Sequence, residues 1–130
     1  MKIPGSHLLD DVLGEWSWAN MSHIAGLNYH VENPIDGYTT LSLETSWSMG
    51  SHDRSSRCDA TVIFRRVSRL SLKEVGGIIQ TGGFYVDDIR SRGWSDIRYE
   101  VGDFETGVLS FYCEYVEVTS VRAFLVDTRG

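Results

Sequence analysis

Apolar and polar side chains alternate along most of this chain, and the period changes once near its start. Residues Ser6 to Leu13 put Leu8, Leu9, Val12 and Leu13 on one stripe, with Ser6 as N-cap and Gly14 as stop, which predicts a short helix. Beyond it the period is two. Ala25, Leu27, Tyr29 and Val31 alternate with Gly26, Asn28, His30 and Glu32, while Leu41, Leu43, Thr45 and Trp47 alternate with Ser42, Glu44 and Ser46. Both runs predict strands buried on one face. They are joined through Asn33-Pro34-Ile35-Asp36-Gly37, where proline pre-sets a turn and glycine takes positive φ, the signature of a hairpin.

A polar stretch from Ser48 to Arg57 predicts an exposed loop. Val62 and Phe64 within Ala60 to Val67, then Leu70 and Leu72, predict two more strands. Gly76-Gly77 and Gly82-Gly83 bracket Ile78 and Ile79, which predicts turns or a short edge strand. Phe84 to Ile89 reads as a strand, as do Ile97, Tyr99 and Val101. Leu109, Phe111, Cys113 and Tyr115 share one face of the longest strand, entered through a Glu105-Thr106-Gly107 hairpin loop. Val116 and Val118 fall on the opposite parity, which predicts a bulge or a strand buried on both sides. A final apolar run spans Val121 to Val126. The expected architecture is one domain over residues 1–130. It is mostly β, a single antiparallel sheet system with a short N-terminal helix. About seven or eight strands bury their apolar faces as a sandwich or as a strongly curled sheet or partial barrel.

Charge narrows the function classes. The net charge is −6, from 18 acidic against 12 basic side chains, which disfavours nucleic acid as a partner and suits a basic one. The N-terminal residues lack the charged and apolar pattern of a secretory signal, and no run approaches the roughly 20 apolar residues of a membrane-spanning helix. A cytoplasmic protein that meets no membrane is the expectation. Cys58 and Cys113 are far apart and in no metal-ligand spacing, as expected of reduced thiols.

Candidate chemistry is sparse, and no catalytic residue is assigned. Ser51-His52-Asp53 holds the residue types of a nucleophilic triad, but neighbours on one loop do not converge into a relay, and no nucleophile elbow surrounds them. His23 and His30 fall on opposite parities of one predicted strand, roughly 23 Å apart at about 3.3 Å per residue, so one metal ion cannot bridge them. No metal or cofactor is expected. Asp103 and Glu105 project to one side if the strand continues through them, roughly 6 to 7 Å apart, the arrangement of an acid/base pair. The plainest reading of the acids is that they keep the hairpin tip and strand edges soluble and unpaired with other chains; the functional one is a surface for a protein partner, comprising Asp87, Asp88, Asp103, Glu105 and Glu114 with Trp94 as an aromatic anchor. Arginine far outnumbers lysine, and Arg65, Arg66, Arg69, Arg90, Arg92 and Arg98 are expected to pair across strands with these acids.

Two resemblances bear on function. Phe64-Arg65-Arg66-Val67-Ser68-Arg69-Leu70-Ser71-Leu72, then Tyr99-Glu100-Val101 and Leu109-Ser110-Phe111-Tyr112-Cys113, resemble the immunity protein 50 group of small bacterial immunity proteins of polymorphic toxin systems. The resemblance spans roughly residues 16 to 118. It implies a cytosolic, non-enzymatic protein that binds and neutralises a cognate toxin, expected here to be basic. It departs from the group at His23, which Ile24 follows where the group often has a His-Asp pair. The shorter Leu13-Gly14-Glu15-Trp16 is similar to the G-x-W opening of lipocalin-like barrels, with Arg122 in the place of the arginine that covers the tryptophan. That resemblance implies a closed barrel carrying a small apolar ligand.

Overall fold

A computed structural model of the protein describes residues 3–35, 37–49, 57–73 and 79–123. Helix α1 (Ser6–Leu13) is followed by β1 (Met21–Asn33), β2 (Tyr38–Ser48), β3 (Arg57–Arg65), β4 (Ser68–Leu72), β5 (Ile79–Gln80), β6 (Phe84–Asp88), β7 (Tyr99–Asp103), β8 (Leu109–Cys113) and β9 (Tyr115–Ala123). Every pairing is antiparallel. A five-stranded sheet runs β5-β1-β2-β3-β9 and a four-stranded sheet runs β4-β8-β7-β6. The expected mostly-β fold with one N-terminal helix is therefore present, as two sheets rather than a closed barrel.

The two sheets are cut from shared strands. β3 pairs with β9 in the larger sheet, and their continuations β4 and β8 pair with each other in the smaller one. The chain turns from one layer to the other at Arg66 and Val67 and returns at Glu114, a corner made by strands that switch sheets. Arg66 and Arg69 take φ of 56° and 54° to make the outward bend. Thr39 Oγ1 donates to the Val67 carbonyl at 2.6 Å, and the Glu114 amide donates to the Arg65 carbonyl at 3.1 Å, so the bend keeps its polar groups paired. This corner also accounts for the parity change near Tyr115. Leu109, Phe111 and Cys113 face the core from one sheet, whereas Val116 and Val118 face it from the other.

The core lies between the layers. Phe64 on β3 meets Phe111 on β8 edge to face, with centroids 4.9 Å apart, and both are essentially buried. Each such ring contributes roughly 1.5–3 kcal/mol on burial. These rings, with Leu41, Leu43, Val62 and Val101, fill the interior that a barrel carrier would leave open. Arg122 pairs with Asp59 at 3.6 Å, while the Trp16 indole donates to Asp10 at 2.7 Å. The lipocalin-like arrangement is thus not formed.

Helix α1 closes the end of the core against β3 and β9, with Leu9 and Leu13, one turn apart, buried. Its entry differs from the sequence expectation. Gly5, not Ser6, precedes the first turn, and no side chain caps it. Gly5 has φ 80°, and an added Cβ would strike the Val118 carbonyl, because the Pro4 carbonyl accepts the Val118 amide at 2.9 Å. Only a glycine allows that approach. At the other end Gly14, with φ 73°, stops the helix as expected.

The β1–β2 hairpin turns through Asn33 and Gly37, whose amide donates to the Asn33 carbonyl at 2.8 Å, while Asp36 lies outside the described residues. A register shift between Ile24 and Gly26 inserts an extra residue and resets the parity of β1. His23 and His30 therefore stand opposite Ser46 and Thr40 on the same, outer face, contrary to the opposite parities expected from sequence. Beyond the bulge Leu27, Tyr29 and Val31 do share the inward side, but Tyr29 and Val31 remain about half exposed because the hairpin extends past the core. Gly76-Gly77, Ile78 and Val126 lie outside the described residues.

Candidate functional site

The outer face of the four-stranded sheet carries aromatic side chains next to acids that form no ion pair among the described residues. Strand alternation produces it directly. Phe84 and Val86 on β6, Tyr99 and Val101 on β7, and Leu109, Phe111 and Cys113 on β8 point inward. The intervening residues point out in two cross-strand rows, one of Tyr85, Gly102, Ser110 and Ser71, the other of Asp87, Glu100, Tyr112 and Ser68.

Aromatic pairs stand at two places on this face. The Tyr85 ring lies over Gly102, in the space a side chain there would take, and packs against Phe104 at 4.3 Å between centroids. Phe104 follows β7 in its turn and is 73% exposed. Burial, with the Glu100 and Asp87 carboxylates beside it, pushes the Tyr85 phenol up. At the other place Trp94 meets Tyr112 edge to face at 5.6 Å, with the Arg92 guanidinium 5.4 Å from the Trp94 ring and Arg69 at 5.9 Å from the Tyr112 ring. A short 3₁₀ turn at Arg90–Arg92 and Gly93 at φ 72° bring Trp94 here, and it is 44% exposed.

The acids expected to form one patch behave differently from one another. Asp87 is exposed, opposite Glu100 on the outer face. Glu105 is exposed at the turn, its side chain lying against Gly82 and its amide donating to the Gly82 carbonyl at 3.0 Å. Neither forms an ion pair among the described residues.

Asp88 is taken up by Arg90, whose amide donates to it at 3.0 Å and whose guanidinium grips it at 2.9 and 3.1 Å. These hydrogen bonds, the backbone one foremost, hold its carboxyl below the usual range. Glu114 is bound to Arg66 at 2.7 Å inside the corner.

Asp103 is a correction to the sequence reading. It is buried, and its carboxylate accepts the Glu105 and Thr106 amides at 3.0 and 3.3 Å and the Thr106 hydroxyl at 2.6 Å. An aspartate at the head of a tight turn satisfies the turn's own donors, so it faces neither a partner nor Glu105 as an acid/base mate. Of the arginine pairings expected across strands, Arg65 meets Glu117 between β3 and β9, Arg66 meets Glu114 at the corner and Arg98 approaches Asp88, whereas Arg90 grips Asp88 only two residues away, Arg92 reaches Glu100 instead, and Arg69 forms no ion pair among the described residues.

Tyr85, Phe104 and Tyr112 were not singled out from sequence. The signal for two of them was present, since Tyr85 and Tyr112 sit on the polar parity of strands whose other parity is apolar. Ser51, His52 and Asp53 lie outside the described residues. Among the described residues, no three His, Cys, Asp or Glu side chains gather to hold a metal ion, and no helix is long and apolar enough to cross a membrane. No protein-family model matches the chain, and no curated protein or solved structure is significantly similar to it.

Proposed function

We propose that this is a non-enzymatic binding protein that holds a basic protein partner against the outer face of its four-stranded sheet, as an immunity protein holds its cognate toxin. The observation that carries the reading is the two aromatic pairs on this face, half-buried Tyr85 with exposed Phe104 and half-buried Tyr112 with exposed Trp94, beside Asp87 and with Glu105 at the adjoining turn, neither acid in an ion pair among the described residues. Aromatic rings supply large contact area at small conformational cost, and free acids steer a cationic surface into register. The partner-facing set is therefore Asp87, Glu105 and Trp94, extended by Phe104, Tyr85 and Tyr112. Asp88, Asp103 and Glu114 are instead taken up by Arg90, the β7 turn and Arg66.

The test captures a protein partner from the source cell with the unaltered protein and measures its association and dissociation rates. Asp87→Lys with Glu105→Lys should slow association about tenfold at low salt. Phe104→Ala should speed dissociation. Rates equal to those of the unaltered protein, with the partner still bound, would move the interface to another face. A partner that never binds would remove the reading.

A further inference from the structure

Beside the N-terminal helix, an open groove of about 1120 Å³ runs between α1 and the segment that leads into β1. It exceeds the roughly 300–1,000 Å³ of sites that take small organic ligands, so such a ligand would occupy part of it. Its floor is apolar, from Ile3 and Pro4, and two indoles, Trp16 and Trp18, form a wall. The two rings stand at 87° to one another with centroids 5.2 Å apart, so together they make a corner rather than a flat surface. Behind them Trp47 packs edge to face on Trp16 at 5.3 Å, and Phe84 lies 6.1 Å from Trp18. The corner is thus backed by buried rings. Trp16 is also tethered through its indole N–H to Asp10 at 2.7 Å, which fixes its orientation.

Charge decides what such a corner takes. Asp10 and Glu15 both line the groove, and no lysine or arginine does so among the described residues. The Asp10 oxygen not bonded to Trp16 has no hydrogen-bond donor among the described residues, and Glu15 is exposed without an ion pair among them. His7, in the first turn of α1, also lines the groove, and the Trp16–Asp10 hydrogen bond puts one carboxylate directly beside an indole. Electron-rich ring faces attract a cation that has little water to lose, and nearby carboxylates add to the attraction.

We propose that this groove binds a small organic cation with a methylated ammonium head, seated in the Trp16–Trp18 corner beside Asp10 and Glu15. The site does not depend on the partner-binding face of the four-stranded sheet, so each can fail alone.

Choline is the probe, and neohexanol, its uncharged isostere with carbon in place of nitrogen, is the control. The indole N–H signals of Trp16 and Trp18 should shift saturably with choline while that of Trp94 stays still. Choline should bind at least about tenfold more tightly than neohexanol. Glu15→Gln, a change at an exposed side chain, should weaken choline and leave neohexanol unaffected. Equal affinity for the two probes would make the groove a merely apolar site and overturn the proposal. So would the absence of saturation, or choline binding unchanged by Glu15→Gln.

Discussion

Arg66 and Glu114 meet at 2.7 Å at the point where the chain passes between the two sheets, from β3 to β4 and from β8 to β9. The Arg66 guanidinium also lies over the Tyr38 ring, 4.2 Å from its centroid, and reaches Asp96 at 3.8 Å. One side chain therefore ties together β2, the return strand and the loop before β7. The pair is only partly exposed, at 33% and 22% for the two side chains, so water screens it less than an ordinary surface pair. Arg66→Met and Glu114→Gln should each lower the melting temperature. The double variant should fall by less than the sum of the two, because the second change removes a partner already lost. Strictly additive losses in a thermal double-mutant cycle would show that the two ends of the corner are held independently.

Asp103 gives the sharpest contrast with a surface acid. Asp103→Ala leaves the Thr106 hydroxyl and two turn amides without their acceptor and should cost about 1–3 kcal/mol in urea denaturation. Asp87→Ala, on the same sheet but exposed and in no ion pair among the described residues, should stay within about 0.5 kcal/mol. Equal stabilities for the two variants would mean the turn does not depend on the aspartate.

Glycine positions separate crowding from strain. Gly5→Ala combines positive φ with a collision against the backbone of Val118 and should destabilise by more than about 1 kcal/mol. Gly107→Ala shares the positive φ, at 63°, but meets open space, so its loss should be the smaller of the two. The order of the two midpoints in denaturant checks this.

Both thiols are buried and both are shifted toward the neutral form. Burial, with Asp59 beside it, pushes Cys58 up to about 11, and burial alone pushes Cys113 higher still. At pH 8 only about one Cys58 in a thousand is thiolate, so neither cysteine should react with a thiol reagent until the chain unfolds. The sign of the linkage follows from the same shift. An acid whose folded pKa is raised contributes its full stability below the unfolded value and loses it as pH climbs toward the folded value. Stability should therefore decline from about pH 9 to about 11, and Cys58→Ala with Cys113→Ala should flatten that decline in a denaturation series.

Much of this architecture was legible because strands keep a period of two. Leu41 to Trp47, Val62 and Phe64, and Leu109 to Cys113 all face the core as their spacing requires. The illegible parts share one cause, which is a change of parity or direction that depends on distant residues. The bulge near Ala25 puts His23 and His30 on one face, and the exit at Glu114 splits what reads as one long strand. Asp103 and Asp87 are the same residue type on neighbouring strands, but Asp103 shares the inward parity of Tyr99 and Val101 and is satisfied there by the turn donors, while Asp87 points outward. Trp16 and Trp94 were equally ambiguous until their neighbours were known. The segments behind the immunity-protein resemblance, Phe64 to Leu72 and Leu109 to Cys113, supply the corner and its paired strands. They mark architecture and leave the choice of partner to the faces around it.

The corner also governs how the molecule assembles. Arg66 and Glu114 are separated by 48 residues, and that whole span must be looped before the two can meet. Closing so long a loop delays the reward of contact, which slows a β protein relative to one built from local helices. Once closed, each layer borrows its boundary strands from the other. Neither can melt alone, and the amides at the heart of both should exchange with solvent in a single cooperative opening.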